Sequence, residues 1–512
     1  MILSVSPCLC VRSPFLLRAL LACALAFAAP ASAQPLAGMD EYVAAAMRDW
    51  KIPGLALAIV KDDSVVYARG WGVTGPGGPP VDPQTLFASA STTKAFTTTA
   101  LAMLVDEGKL RWDDPVTKHL PAFQLRDPHT TRELTVRDLV THRSGLAAAD
   151  ELWYASGAPT ADIVRRLRFQ EPQSSLRSRY AYNNNAFAVA GEVIRAASGL
   201  PWDEFVRRRI LEPLGMRATL TGLAGLEERA NHAKPHMEIG GAIRPVGHRA
   251  LDNIGPAGSM NSSVAEMARW LRFQLDSGRV GGRRLVSDSS FREMLSPQTV
   301  IPVASRYPAA RLARPNFTAY GLGWFLQDYR GRKLAMHTGS IDGMSALVAL
   351  VPEERLGLVV FANLDHAELR HALMYRIVDA YTGAPPRDWS TELRALYGET
   401  DARSRAAELR RDSARISGTR PSLPLASYAG TYADSLRGDV TIRLESGRLF
   451  ARYGAGITGP LTHWHHDTFR AVWQDPALGS TLITFTLDAS GKPRALLLEG
   501  AAEFRRRAEG GR

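Results

Sequence analysis

Two strand-pair patterns, far apart in this 512-residue chain, constrain its fold more than any other feature. In the first, apolar residues 55–60 and 65–69 flank Lys61-Asp62-Asp63-Ser64. In the second, residues 346–351 and 356–362 flank Pro352-Glu353-Glu354-Arg355. A polar turn between two short apolar runs is a hairpin signal. Between the hairpins the apolar spacing is mostly helical, over 91–108, 134–140, 160–211 and 263–275. Such a chain buries its apolar faces most simply by joining both hairpins in one antiparallel sheet and laying the inserted helices over it. The expected fold class is therefore α/β, an α+β sandwich, with a short amphipathic helix over 39–50 ahead of the first strand.

Composition changes after residue 387. Residues 388–420 read as a charged helical linker between a domain at 34–387 and an all-β domain at 421–512. In the latter, short strands at 439–444, 448–453, 468–472, 481–487 and 495–499 alternate with polar turns, the pattern of a small barrel or sandwich. At the N-terminus, Arg12 and Arg18 lead into an apolar run that ends at Pro30-Ala31-Ser32-Ala33. That order predicts a signal peptide over 1–33 and a periplasmic or secreted protein. Leu20-Leu21-Ala22-Cys23 is a weaker match to a lipoprotein box, because the apolar run continues past Cys23. All three cysteines (Cys8, Cys10, Cys23) fall in the leader, so the mature chain meets an oxidising compartment without thiols.

The formal charge is +11, or +9 without Arg12 and Arg18. This excess fits peripheral association with an anionic envelope. The basic triplets 207–209 and 505–507 read as solvated faces, and no basic stripe is interleaved with aromatics, so no nucleic-acid partner is expected. Gly70-Trp71-Gly72-Val73-Thr74-Gly75 has the spacing of a dinucleotide loop but runs into Pro76-Gly77-Gly78-Pro79-Pro80 instead of a helix, which makes it a turn. His463, His465 and His466 lack ordered ligand spacing, and His142 reads as a structural turn histidine. Neither cofactor nor metal is expected, and the oligomeric state is left open.

The chemistry lies in three short segments. Ser91 and Lys94 open an apolar helical stretch and stand one turn apart, so hydroxyl and amine share a face. A serine hydroxyl is a weak nucleophile until a neighbour takes its proton. This is the single Ser-x-x-Lys in the chain; Tyr182-Asn183-Asn184 is the single Tyr-x-Asn, and His337-Thr338-Gly339 the single Lys/His-Ser/Thr-Gly.

In this order the three motifs resemble those of the serine β-lactamase and penicillin-binding peptidase superfamily, in its class C and D-peptidase-like branch. Gly255-Pro256-Ala257-Gly258 and Tyr320-Gly321-Leu322-Gly323-Trp324 look like weaker blocks of that branch, and the C-terminal strands like an appended lipocalin-like domain. The resemblance implies an acyl-enzyme on Ser91, proton transfer by Lys94 and Tyr182 with the formal base left open, and substrate binding by Asn184, His337, Thr338, Gly339 and Ser340. It also implies an oxyanion hole from the Ser91 and Ser340 N–H groups. Many relatives carry lysine where this chain has His337, and a mostly neutral imidazole binds a carboxylate more weakly than an ammonium does. The expected activity is therefore hydrolysis of a small-molecule or short-peptide amide, with D-residue peptides included. A carboxylesterase, a β-lactamase and a catalytically silent peptidoglycan-recognition protein are the alternatives.

Overall fold

The computed structural model describes residues 35–500 and 502–508; the leader pattern and its cysteines lie outside them. Helix α1 (Met39–Asp49) precedes β1 (Gly54–Lys61) and β2 (Ser64–Gly72), the first hairpin. Beyond the helical insertion come β3 (Thr299–Val300), β4 (Thr318–Tyr320), β5 (Phe325–Tyr329), β6 (Arg332–Ile341), β7 (Met344–Val351) and β8 (Leu356–Ala362). All eight form one sheet in the order β2-β1-β8-β7-β6-β5-β4-β3. Strands β1 and β8 join the two hairpins antiparallel, Leu55 opposite Ala362 through Lys61 opposite Leu356.

Both faces of the sheet are covered, so its central strands are apolar on both sides. Ala56, Ala58, Val348 and Phe361 face the inserted helices; Leu57, Ile59, Leu347 and Leu358 face α1 and two later helices. Small residues on the first face permit close approach, and a side chain at Gly357 would stand 3.2 Å from Leu271. Within the insertion, α2 (Lys94–Asp106) is apolar on nearly all sides and is buried from Lys94 to Leu104. Such a helix has to lie inside its domain. Its threonine hydroxyls are satisfied, Thr97 on the distant Pro256 carbonyl and Thr99 within the helix on the Ala95 carbonyl.

Helix α3 (Asn184–Ser198) packs against α2, and α4 (Val264–Leu275) lies on β1 and β8. On the other face, α5 (Leu369–Tyr381) is followed by α6 (Trp389–Ser413), the charged helix. Its first two turns differ from a free connector: Trp389, Leu393 and Leu396 are buried in the core beneath the sheet, and Trp389 Nε1 donates to Asp379 at 2.7 Å.

The C-terminal domain is a closed eight-stranded barrel from Gly430–Asp434 to Ala502–Arg506, with Tyr428, Tyr432, Phe469, Phe485 and Phe504 in its core. Three of its strands, Gly430–Asp434, Ile457–His465 and Ala502–Arg506, were illegible in the sequence. The second contains Gly459-Pro460, which argues locally against a strand. A Cβ at Gly459 would meet the Val472 carbonyl at 2.2 Å, so glycine here admits a neighbouring strand. The third carries the basic triplet, of which Arg505 and Arg507 are exposed, as read, and Arg506 is half-buried. Arg506 donates to the Ser427 and Ala429 carbonyls, and Arg507 pairs with Asp439 at 2.9 Å.

The barrel touches the first domain at the loop around residues 150–157. Arg437 pairs with Glu151 at 2.6 Å, the Ala455 N–H donates to the Ser156 carbonyl, and Arg249 joins Asp342, just beyond β6, to Asp475 of the barrel.

Candidate active site

The nucleophile candidate is presented by a strained turn. Ala90, buried and not glycine, has φ +44°, and Ser91 follows in a short 3-10 turn that becomes α2 at Lys94. A positive φ at alanine costs on the order of 1–2 kcal/mol, sustained here by the packed surroundings. Strand β6 presses against this turn. A Cβ at Gly339 would lie 2.4 Å from the Ser89 carbonyl oxygen and 3.1 Å from the Ser91 nitrogen. Only glycine lets the two backbones meet. Gly339→Ala is therefore expected to destabilise the fold by about 1–3 kcal/mol and to lower kcat/KM about 100-fold through displacement of Ser91. Thermal unfolding and steady-state kinetics check this.

Lys94 is fully buried, and its Nζ has three oxygen neighbours: Ser91 Oγ at 2.9 Å, Asn184 Oδ1 at 2.8 Å and the Ala257 carbonyl at 2.8 Å. The last two can only accept. A neutral amine has two N–H bonds for them and one lone pair, which leaves that lone pair facing the Ser91 hydroxyl. Burial supplies the neutral form, lowering the lysine to about 7 against a small opposing pull from Asp150.

Tyr182 OH lies 3.0 Å from Ser91 Oγ, so the serine oxygen is shared between amine and phenol. Burial holds the Tyr182 phenol well above its ordinary value of 10, and it stays protonated at neutral pH. The segment carrying it is fixed on both sides. Asn183 caps α3 by accepting from the Ala186 N–H, and its own N–H donates to His142 Nδ1 at 3.1 Å. The His142 ring stands 4.1 Å from the Tyr182 ring, centroid to centroid. Asn184, the first residue of α3, accepts from Lys94 and donates its Nδ2 to Asp150 at 3.1 Å; Asp150 also receives Trp153 Nε1.

The four residues Ser91, Lys94, Tyr182 and Asn184 therefore converge, from two helices and a loop. The β6 residues differ among themselves. His337 is 1 % exposed, and both ring nitrogens have protein partners, Nε2 with Tyr320 OH at 2.9 Å and Nδ1 with the Thr338 carbonyl at 2.6 Å. Burial and the nearby Lys94 push it down to about 3, so it is neutral, packed among the rings of Tyr182, Tyr320 and Phe325. Thr338 Oγ1 bonds Tyr307 OH at 2.6 Å, and Ser340 Oγ accepts from buried Arg370 at 2.9 Å. Gly339 contributes by close approach.

Comparison with known proteins assigns the family. Residues 39–382 match the Beta-lactamase family model, and residues 414–510 match a domain of unknown function, DUF3471. The chain belongs to the β-lactamase family. It is similar to the unguisins hydrolase ungD of Aspergillus violaceofuscus, 29% identical over 508 residues that cover 90% of this chain and 88% of that one. It is also similar to protein flp of Staphylococcus aureus strain N315, 24% identical over 338 residues, 64% of this chain and 63% of flp. The fold is shared by the octameric penicillin-binding protein homologue from Pyrococcus abyssi, with a TM-score of 0.61, 22% identity, and coverage of 92% of this chain and all of that one. The β-lactamase-related chain is a serine hydrolase.

Several partners of the site were not singled out in the sequence. Asp150, Tyr307 and Arg370 sit in no motif, Tyr320 opens a weaker block but had no role assigned to it, and His142 read as a turn residue without a partner. His142 has φ +55° and is such a residue, yet its partner is the backbone that delivers Tyr182.

Proposed function

We propose that this serine hydrolase is exported and cleaves amide or peptide bonds of short substrates through an acyl-enzyme on Ser91. The observation that carries the reading is the sharing of Ser91 Oγ by a lysine tuned toward neutrality and a phenol held protonated. Lys94 takes the hydroxyl proton as Oγ attacks the carbonyl carbon, and the oxyanion meets the N–H groups of Ser91 and Ser340. Tyr182 gives its proton to the departing nitrogen, and the Lys94 ammonium restores the phenol. Water then attacks the ester, its proton passes to the same pair, and Ser91 Oγ leaves protonated. An amine needs that proton far more than an alkoxide does, and a neutral phenol beside Oγ supplies it. Asn184, held by Asp150, offers its amide to a substrate carbonyl. Export is supported by the basic, apolar and Ala-x-Ala order of residues 12–33 and by cysteines confined to that segment.

The β6 residues favour substrates without a carboxylate at this end of the cleft. His337 is neutral, Lys94 is committed to its three oxygens, and Arg370 donates to the Gly339 carbonyl, Ser340 Oγ and Glu368. His337→Lys is expected to shift selectivity toward carboxylate-bearing β-lactams over neutral amides. It should also lower the melting temperature, because it buries a second amine near Lys94 and takes the imidazole partner from Tyr320. Unchanged selectivity in a folded variant counts against this assignment.

Intact-mass detection of the acyl-enzyme, with turnover measured on three probes, tests the reading. The probes are a D-leucine-containing peptide amide, a carboxylic ester and a penicillin. One relative is named for hydrolysing unguisins, and SurE, which shares the fold, was solved with D-Leu, which guides the first choice. Fastest turnover of the amide supports the proposal. Turnover of the ester or the penicillin alone replaces it with an esterase or a β-lactamase. The absence of any adduct points to a silent recognition protein.

A further inference from the structure

We infer that Glu227, His232 and His248 form a binding site for a divalent transition-metal ion of the zinc class, apart from the catalytic cleft. One ligand atom from each residue lies within 4.8 Å of the other two. His232 Nε2 is 3.5 Å and His248 Nε2 3.7 Å from the Glu227 carboxylate oxygens, one oxygen for each ring. Those separations are too long for hydrogen bonds. They approach the edge of a zinc tetrahedron, about 3.3 Å for metal–ligand bonds near 2.05 Å.

Two independent observations indicate that the site is made for a ligand. Both Nε2 atoms are buried and have no hydrogen-bond partner among the described residues, although the His232 and His248 side chains are only 10 % and 12 % exposed. Buried imidazole nitrogens without a partner are costly unless something fills the space between them. In addition, the other nitrogen of His232, Nδ1, lies 2.7 Å from the Arg229 carbonyl, which can only accept. That bond places the proton on Nδ1 and leaves Nε2 as the electron-pair donor, the arrangement typical of a metal-bound histidine. Glu227 is 72 % exposed, so the fourth position opens to water.

Two imidazoles and a carboxylate suit zinc or cobalt better than magnesium or calcium. The ion would close the segment that contains the hairpin His236–Ile239/Ala242–Pro245. At one end, His232 bridges to Leu86, ahead of the Ser91 turn. At the other, His248 adjoins Arg249, which ties Asp342 to the barrel. The site is thus a clasp and carries no step of the hydrolysis.

The test uses the full chain, stripped with chelator and titrated with Co²⁺ and Zn²⁺. Wild type is expected to bind one equivalent of Co²⁺ with the intense visible absorption of a tetrahedral site, and to melt at a higher temperature with Zn²⁺. The His232→Gln/His248→Gln variant should lose both responses while still forming the Ser91 adduct. Should that variant not fold, Glu227→Gln, altered only at an exposed carboxylate, is expected to bind Co²⁺ at least 10-fold more weakly. Wild type that binds no metal, or variants that bind as wild type does, for instance through the histidines of the barrel, would overturn the assignment.

Discussion

Replacing Ser91 by alanine is expected to lower kcat by about 10⁵–10⁶-fold and to abolish the covalent adduct. The magnitude follows from the geometry. Ser91 Oγ is, among the described residues, the one atom hydrogen-bonded to both Lys94 Nζ and Tyr182 OH, so its removal leaves base and acid with nothing to activate. What survives is transition-state binding by the cleft and its oxyanion donors, which in serine hydrolases is worth about 10³–10⁴ over water. The intact mass of the enzyme after exposure to a fluorophosphonate or penicillin checks the result. A Ser91→Ala variant that is labelled as fast as wild type would move the nucleophile elsewhere.

Lys94 gives the second large effect, and its pH dependence has a definite sign. Below about 7 the amine is an ammonium and has no lone pair for Ser91; above it, the lone pair is free. The wild-type kcat/KM should therefore fall tenfold per pH unit below about 7 and level off above it. Tyr182, held well above 10, adds no alkaline fall in the neutral range. Lys94→Met is expected to lower kcat/KM by about 10²–10⁴-fold and to erase the acid limb. An acid limb that survives in Lys94→Met, or a wild-type midpoint in the carboxylate range, would assign the base to another group. The same shift links to folding. The lysine titrates at about 7 when folded and at 10.5 in the free chain, so between these values the unfolded chain binds more protons. The Lys94 contribution to stability accordingly rises with pH across that window, and below it the burial penalty is felt in full.

These effects rest on parts of the molecule that are unequally visible in the sequence. Ser91 and Lys94 are three residues apart, and helical geometry alone places them side by side. The two hairpins were legible because each is a local pattern, and their union through β1 and β8 follows from the need to bury both. Barrel strands were legible where polar turns punctuate apolar runs. They were missed at Gly459-Pro460 and at the arginine-rich last strand, where the pairing strand overrides local preference.

Burial and long-range encounter decided the rest. Nothing near Lys94 in the chain announces that oxygens of Asn184 and Ala257 will join Ser91 around it in a dry site, and that surrounding turns an ordinary ammonium into a base. The same holds for His337, read as a substrate-facing group but packed behind Tyr320 with both nitrogens engaged. It holds also for Asp150, which steadies Asn184 from a loop with no motif. The sequence by itself determined the kinds of chemical group and the elements that carry them, because residue type and short-range periodicity are local. Only the tertiary structure decided their protonation states and partners, because solvent exclusion and electrostatic fields depend on what the whole chain packs around each atom.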